Sequence, residues 1–255
     1  MTPTRRALRV DGQELAAYSS GGDVDGPTFV LVHGLGMSHR YLARLHRELA
    51  SWGDTHSVDL PGFGGTPAPG AVMSVARGAA LLGGALDALG VTAAVVIGHS
   101  MGAQFATELA VHRPELVSHL VLVGPVTDPD RARPLVQALD LTRDALKEPP
   151  SGNLLTATDY VRCGPRWYFT ELVPMLAYRT DERLASVAAP TLVIRGTEDP
   201  VARRAWSAEL ARRAPSGTLV EIPGHRHLVQ HTAAAATAAA VIARVRPTAP
   251  TTAGR

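Results

Sequence analysis

The chain has 255 residues, of which 45% are hydrophobic and 19% charged, so it is long enough for one large globular α/β domain with a modest insertion. Its formal net charge is only +2 and its basic residues form no dense run, which argues against nucleic-acid binding. The single cysteine, Cys163, excludes an internal disulfide and a cysteine-based zinc site, and we predict neither a metal nor a cofactor. The sequence shows no secretory signal and no bilayer-spanning run, so we expect a cytoplasmic protein without membrane partners.

Strand and helix patterns alternate through the first half of the chain. Asp11-Gly12 is a strong turn signal and predicts a hairpin between short strands at 8–10 and 14–18. The apolar run 28–33 is typical of a strand that is buried on both faces. The next predicted elements are a helix over 39–50, a strand over 55–58, a helix over 74–89 closed by Gly90, a strand over 93–97, a helix over 103–112 and a strand over 116–123.

The alternation breaks between residues 125 and 187, a proline-containing and more polar segment. Helical patterns occur there over 133–146, 157–162 and 167–178, together with the aromatic cluster Trp167-Tyr168-Phe169. We interpret this segment as a helical lid inserted into a core made of residues 1–124 and 188–246, with its apolar side facing a pocket. The remaining predictions are a strand over 191–195, a helix over 201–213, a strand over 218–221, a helix over 228–244 and a disordered tail over 247–255.

Strands that alternate with helices in this way imply an α/β fold with a mostly parallel, eight-stranded sheet covered by helices on both faces. The loops that follow the strands then share one edge of the sheet, where ligands bind in such folds. Any reactive side chains in those loops are therefore expected to meet at that edge.

The segment Gly98-His99-Ser100-Met101-Gly102 follows the strand at 93–97 and leads into a helix. Its Gly-x-Ser-x-Gly spacing is typical of a sharp turn that holds the serine in a strained conformation. We expect side chains at positions 98 and 102 to clash with neighbouring backbone, and the Ser100 hydroxyl to stand at the edge of the sheet. A serine in this position is a candidate nucleophile.

A serine hydroxyl is a poor nucleophile unless a base removes its proton and a carboxylate orients that base. Three later strand ends carry suitable groups, with the candidate acids before the candidate bases. For the acid, the residues leave Asp199, Glu198 and Asp128 open, and for the base they leave His225 and His227 open.

With these motifs, and with His33-Gly34 and Asp59-Leu60-Pro61-Gly62-Phe63-Gly64, the sequence resembles the α/β-hydrolase family over nearly its whole length. The resemblance implies that Ser100 is the nucleophile, that Asp199 is the acid and that the backbone N–H groups of Leu35 and Met101 form an oxyanion hole. Family members commonly show Gly-x-Gly-His or Gly-x-x-His before an amphipathic helix, which favours His227 over His225. The Gly-x-x-Asp spacing and the proline that follows favour Asp199 as the acid.

We predict hydrolysis of a carboxylic ester, lactone or thioester of a small to medium apolar substrate through an acyl-Ser100 intermediate, by a monomer or homodimer. The lid and pocket residues predicted to contact this small-molecule substrate are His33, Gly34, Arg166, Trp167 and Tyr168. The resemblance leaves three alternatives. They are a carbon–carbon bond hydrolase, a cofactor-free haloperoxidase-like enzyme, and a ligand-binding or other non-hydrolytic protein of the same fold. Carbon–carbon bond hydrolases of the family often carry an aromatic residue after the base, whereas Leu228 follows His227 here.

Overall fold

Eight strands form a single sheet in the order β1-β2-β4-β3-β5-β6-β7-β8. The β1–β2 and β2–β4 pairs are antiparallel, and every other neighbouring pair is parallel, which confirms the predicted mostly parallel sheet. The strands are β1 Thr4–Val10, β2 Gln13–Ser20, β3 Phe29–Val32, β4 Thr55–Asp59, β5 Ala94–His99, β6 Val117–Val123, β7 Thr191–Gly196 and β8 Gly217–Ile222.

The computed structural model describes residues 2–23, 25–131 and 134–246, without the side chains of residues 134, 137 and 138. The predicted tail over 247–255 and the predicted helix start at residue 133 lie outside the described residues. The helices are α1 His39–Leu49, α2 Val75–Leu89, α3 Gly102–His112, α4 Pro134–Ala145, α5 Pro150–Cys163, α6 Pro165–Ala177, α7 Thr180–Leu184, α8 Arg204–Arg213, α9 Val229–Thr232 and α10 Ala234–Val245.

The sheet separates two hydrophobic cores. Val30 and Val32 of β3 belong to the core that packs against α2, α3 and α8, whereas Phe29 and Leu31 belong to the core under α1, α9 and α10. All four side chains are fully buried, as expected for a central parallel strand with helices on both faces. This arrangement leaves the carboxyl ends of the strands as the open edge of the sheet.

Two helices begin or continue differently from the sequence prediction. The helix expected from residue 201 begins at Arg204, because the backbone N–H groups of Val201 and Ala202 donate to Asp199 Oδ1 instead. The helix expected over 228–244 is divided into α9 and α10 by Ala233, whose backbone (φ −132°, ψ 43°) is not helical. The predicted end of α2 is confirmed, with Gly90 in the left-handed conformation at φ 76°.

The helices α4 to α7 lie between β6 and β7, and we call residues 125–187 the insertion. Its helices α5 and α6 begin at Pro150 and Pro165, because proline fits the first turn of a helix, where its missing N–H is not needed. The sequence prediction was wrong here: it began both helices too late and missed α7. None of the helices in the described part of the chain is long and apolar enough to cross a membrane.

Polar contacts hold the insertion against the rest of the molecule. Asp159 on α5 accepts hydrogen bonds from Ser38 Oγ at 2.7 Å and from Arg40 Nη1 at 2.8 Å, at the start of α1. Glu171 on α6 accepts a hydrogen bond from the backbone N–H of Met73 at 2.9 Å. The insertion therefore rests on the carboxyl edge of the sheet at two separate places.

Candidate active site

Ser100 lies in the turn between β5 and α3, and its φ of 56° is in the left-handed region. Glycine is needed on either side because the chain segments are very close. A Cβ at Gly98 would lie 2.2 Å from the Gly102 carbonyl oxygen, and one at Gly102 would lie 2.4 Å from the Val32 carbonyl oxygen. The strained serine and the two close approaches expected from the sequence are thus present.

His227 and Asp199 form a buried pair at the ends of β8 and β7. Asp199 Oδ2 lies 3.0 Å from His227 Nδ1, and Asp199 Oδ1 accepts the backbone N–H groups of Val201 at 2.7 Å and Ala202 at 2.9 Å. Because a carboxylate only accepts, Nδ1 of His227 carries the hydrogen and Nε2 is left as the basic nitrogen. The loop after β7 thus fixes the orientation of the carboxylate and, through it, the imidazole.

The surroundings of His227 favour its protonated form. Burial alone would lower the pKa of His227, but the charge of Asp199 and its hydrogen bond, with smaller contributions from Asp144 and Glu148, raise it to about 9. Burial would likewise raise the pKa of Asp199, yet the charge and hydrogen bond of His227 and the two backbone donors keep it below its ordinary value. The pair is therefore strongly coupled, with the carboxylate ionised.

The other candidate acids, Glu198 and Asp128, and the other candidate base, His225, have different partners. Glu198 is exposed, with Oε2 3.6 Å from Arg226 Nη1, and Asp128 Oδ1 accepts the backbone N–H of Asp130 at 3.1 Å. His225 Nδ1 lies 3.0 Å from Thr232 Oγ1. Of these candidate acids and bases, only the bonded pair of His227 and Asp199 lies at the site of Ser100.

A chain of buried hydrogen bonds runs beneath these groups. His99 Nε2 lies 2.9 Å from the His227 carbonyl oxygen, and His99 Nδ1 lies 2.8 Å from Tyr41 Oη, which accepts the Gly34 N–H at 2.7 Å. A carbonyl only accepts, so Nε2 of His99 carries the hydrogen and Tyr41 donates to Nδ1. Burial, followed by the neighbouring His227, lowers the pKa of His99 to about 3, which keeps this ring neutral.

The backbone N–H groups of Leu35 and Met101 flank the serine turn. Neither donates a hydrogen bond to another group in the described part of the chain. Met101 directly precedes α3, where the first backbone N–H groups of a helix point outward. Gly34 is packed so closely on this turn that a Cβ there would lie 2.9 Å from Ser100 Cβ.

A cavity of about 380 Å³ opens on Ser100 and His227 and is lined both by strand-end loops and by α4 to α6 of the insertion. Within the described residues no hydrogen bond joins Ser100 Oγ to the imidazole, but both side chains border the same space. Catalytic hydrogen bonds are commonly long before a substrate binds.

Of the residues predicted to contact a substrate, Gly34 and Tyr168 line this cavity. The other three are not among the residues that line it. Arg166 is exposed. Trp167 belongs to the core that packs against α2, α3 and α8, with its ring centroid 6.3 Å from that of Phe63. His33 is fully buried and bonds backbone groups, with Nδ1 2.9 Å from the Gly34 carbonyl oxygen and Nε2 accepting the Leu60 N–H at 3.1 Å.

Two carboxylates of the insertion, absent from the sequence prediction, support the histidine loop. Asp144 accepts the His227 backbone N–H at 3.2 Å, and Glu148 accepts the Leu228 backbone N–H at 2.9 Å. Both are buried and line the cavity, and burial raises the pKa of each. No motif could have indicated them, because their spacing to His227 is set only by how the insertion folds. Among the described residues, no group of three or more histidine, cysteine or acidic side chains could hold a metal ion.

Comparison with known families matches residues 29–240 to a model described as the alpha/beta hydrolase family. The (E)-2-((N-methylformamido)methylene)succinate hydrolase of Acinetobacter baylyi is 25% identical, over 89% of this chain and 93% of its own length. The 2-hydroxy-6-oxononadienedioate/2-hydroxy-6-oxononatrienedioate hydrolase of Burkholderia vietnamiensis is 29% identical, over 74% of this chain and 76% of its own length.

Among solved structures, the enol-lactonase of Burkholderia xenovorans superposes with a TM-score of 0.81. The match covers 94% of this chain and 99% of that protein, at 22% sequence identity. At this level of identity the likeness shows a shared fold, and the sheet, the serine turn and the family match agree with it.

Proposed function

Because the chain belongs to the alpha/beta hydrolase family, we propose that it is a serine hydrolase that cleaves a carboxylic ester, lactone or thioester through an acyl-Ser100 intermediate. The observation that carries this proposal is the placement of His227, bonded to Asp199 on one side and bordering the Ser100 cavity on the other. Nucleophile, base and orienting acid then have the relationship required for acyl transfer.

In the proposed acylation step, His227 Nε2 removes the Ser100 hydroxyl proton as Oγ attacks the carbonyl carbon. The carbonyl oxygen gains negative charge and binds the backbone N–H groups of Leu35 and Met101. The bond to the leaving oxygen or sulfur then breaks, and that atom takes the proton from Nε2. Water next attacks the acyl carbon, gives its proton to Nε2 and releases the acid, after which the proton returns to Ser100.

Asp199 fixes the tautomer in which Nε2 is basic, and its charge stabilises the imidazolium that forms in each step. The His99, Tyr41 and Gly34 hydrogen bonds connect the histidine loop to the loop that carries Leu35. These contacts hold base and oxyanion donors in a fixed relation before substrate enters, and such preorganisation is a major source of rate enhancement.

The cavity supports a small to medium substrate rather than a polymer, because its volume is at the lower end of the range for drug-sized ligands. The names of the two curated relatives describe substrates with more than one carboxylate. No lysine or arginine lines the cavity in the described part of this chain, and the carboxylates of Asp144 and Glu148 do. The lining of this cavity therefore disfavours a substrate with several carboxylates.

The proposal is tested by measuring hydrolysis of p-nitrophenyl butyrate by the purified protein and three variants. Ser100→Ala and His227→Ala should each lower kcat by about three orders of magnitude or more, because each removes a group that acts in every step. His225→Ala is the matched control: this histidine is two residues from His227 and bonds Thr232, so we expect activity within about twofold of the wild type.

A wild-type protein that is folded and does not hydrolyse such esters contradicts the ester hydrolase proposal. Loss of activity in His225→Ala with retention in His227→Ala would instead reverse the assignment of the base. A 2-hydroxy-6-oxo-dienoate assayed in parallel tests the carbon–carbon alternative: turnover of this compound without ester cleavage would replace the proposed reaction.

A further inference from the structure

Apart from His227, the charged side chains that line the cavity in the described part of the chain are acidic. Asp144 and Glu148 are the charged acids there, and none of the cavity-lining residues that the structure describes is a lysine or arginine. His227 adds a positive charge only when protonated, and that charge is matched by Asp199. The potential within the cavity therefore favours a cation over a neutral group, and a neutral group over an anion.

The two carboxylates differ in their partners. Asp144 Oδ1 lies 3.3 Å from Arg226 Nε, so its charge is matched by a cation of the histidine loop. Glu148 accepts one backbone hydrogen bond, from Leu228, and forms no ion pair with a described residue. Its relative exposure is only 8%. Burial raises the pKa of Glu148 more than the nearby charges of His227 and Arg226 lower it, so its negative charge is only partly compensated and Glu148 has the greater capacity to bind a further cation.

Aromatic rings also line this cavity. Tyr160 and Tyr168 both line it, with ring centroids 5.1 Å apart in an edge-to-face arrangement. Aromatic faces attract cations through their ring quadrupole, and alkylated ammonium groups are bound by aromatic side chains in this way. This observation is independent of the acidic residues and points to the same ligand chemistry.

We propose that the cavity selects substrates whose acyl chain carries a cationic, ammonium-type group, with Glu148 as the anionic anchor and Tyr160 and Tyr168 as its aromatic wall. The proposal rests on the proposed hydrolase function, because it assigns the substrate class of that same site. It goes beyond that function by predicting the sign of charge that the enzyme prefers.

The test compares p-nitrophenyl esters of similar length and different charge, of which the cationic and neutral ones also share their shape. The cationic ester is that of 4-(trimethylammonio)butyrate, its neutral isostere is that of 5,5-dimethylhexanoate, and the anionic ester is the adipate half-ester, each corrected for spontaneous hydrolysis. We expect kcat/KM for the cationic ester to exceed that of the neutral one by about tenfold, and the anionic ester to be the poorest, as one ion pair in a sheltered site predicts.

Glu148→Gln keeps an acceptor for the Leu228 N–H and removes the charge. We expect it to bring the cationic-to-neutral ratio of kcat/KM close to one. The ratio is decisive because any disturbance of the histidine loop affects both esters alike. Asp144→Asn is the matched control: it also lines the cavity and bonds the histidine loop, but its charge is already paired with Arg226, so the ratio should fall less.

An enzyme that hydrolyses the neutral ester as fast as, or faster than, the cationic one overturns the proposal and leaves the hydrolase function intact. An unchanged ratio in Glu148→Gln overturns the role of Glu148. If no ester is cleaved, calorimetry with (4-hydroxybutyl)trimethylammonium and its isostere 5,5-dimethylhexan-1-ol still decides the matter. Tighter binding of the cation that Glu148→Gln abolishes supports the cationic preference, and equal or weaker binding contradicts it.

Discussion

At the scale of single residues, the candidate site depends on how burial is balanced by charge. His227 is buried, which by itself would favour the neutral ring, yet three carboxylates at Asp199, Asp144 and Glu148 together favour the protonated one. His99, only 4.9 Å away between ring centroids, has no such carboxylate bonded to it and is kept neutral. Two neighbouring histidines thus differ in their electrostatics: His99 is held neutral, whereas the surroundings of His227 favour the protonated ring, as the proposed role of His227 in proton transfer requires.

The raised pKa of His227 predicts how catalysis depends on pH. Only the neutral imidazole can remove the Ser100 proton, so kcat/KM for a neutral ester should fall as pH drops through the pKa of His227 in the free enzyme. With that pKa raised to about 9, the midpoint of the acidic limb should lie well above the ordinary histidine range. The measurement is a pH profile of kcat/KM corrected for spontaneous hydrolysis.

The same pH profile, measured on variants, shows which carboxylates raise the pKa of His227. Asp144→Asn and Glu148→Gln each remove a negative charge that favours the imidazolium, so each should move the midpoint to lower pH. Glu198→Gln is the control, because this carboxylate is exposed and bonded to neither histidine, and it should leave the midpoint in place. A wild-type midpoint at or below the ordinary histidine value, unmoved in both insertion variants, would contradict this view of the site.

At the scale of elements, the site is held together by loops that follow different strands. Tyr41 on α1 connects the Gly34 loop after β3 with His99 at the end of β5, and His99 in turn bonds the loop after β8. Each bond is buried, so a missing partner leaves an unsatisfied polar group in the core. The network therefore couples the position of the Gly34 loop, which carries the proposed oxyanion donor Leu35, to that of His227.

Removing the tyrosine hydroxyl tests this coupling. Tyr41→Phe leaves the Gly34 N–H and His99 Nδ1 without their partner, and we expect a loss of about 1–3 kcal/mol in the free energy of unfolding. We also expect kcat to fall more than KM rises, because the disturbed groups act on the transition state. Urea unfolding and steady-state kinetics on a neutral ester measure the two effects.

Tyr18→Phe provides the control for this substitution. Tyr18 stacks on His39 through its ring, with centroids 3.4 Å apart, and phenylalanine keeps that ring. The Tyr18→Phe substitution should therefore leave kcat unchanged. A Tyr41→Phe protein with wild-type stability and kcat would show that the hydrogen-bonded chain does not position the site.

The elements that could be predicted from the sequence are those with a strong local signal. The apolar run of β3, the glycine turn around Ser100 and the left-handed Gly90 each define their conformation within a few residues. The starts of α5 and α8 were predicted less well, because they depend on Pro150 at the first helical turn and on the backbone groups that Asp199 captures. Both signals are local in the sequence, but neither appears in the hydrophobic periodicity of a helix.

At the scale of the whole molecule, residues far apart in the chain meet because the sheet is parallel. Gly34, Ser100, Asp199 and His227 each follow a different strand, and the carboxyl ends of those strands share one edge. This rule made the meeting of the reactive groups predictable from their order alone. The insertion follows no such rule, so the contributions of Asp144, Glu148 and Tyr160 to the cavity became visible only in three dimensions.

The most direct test of the central claim, that Ser100 is an activated nucleophile, is covalent labelling with a fluorophosphonate followed by mass spectrometry of the labelled peptide. The wild-type protein should acquire one phosphonyl group on Ser100, and Ser100→Ala should acquire none. Cys163→Ala should label like the wild type, because burial raises the pKa of the Cys163 thiol to about 11 and leaves it little ionised. A folded wild-type protein that resists the probe, or a label at any residue other than Ser100, would contradict the claim.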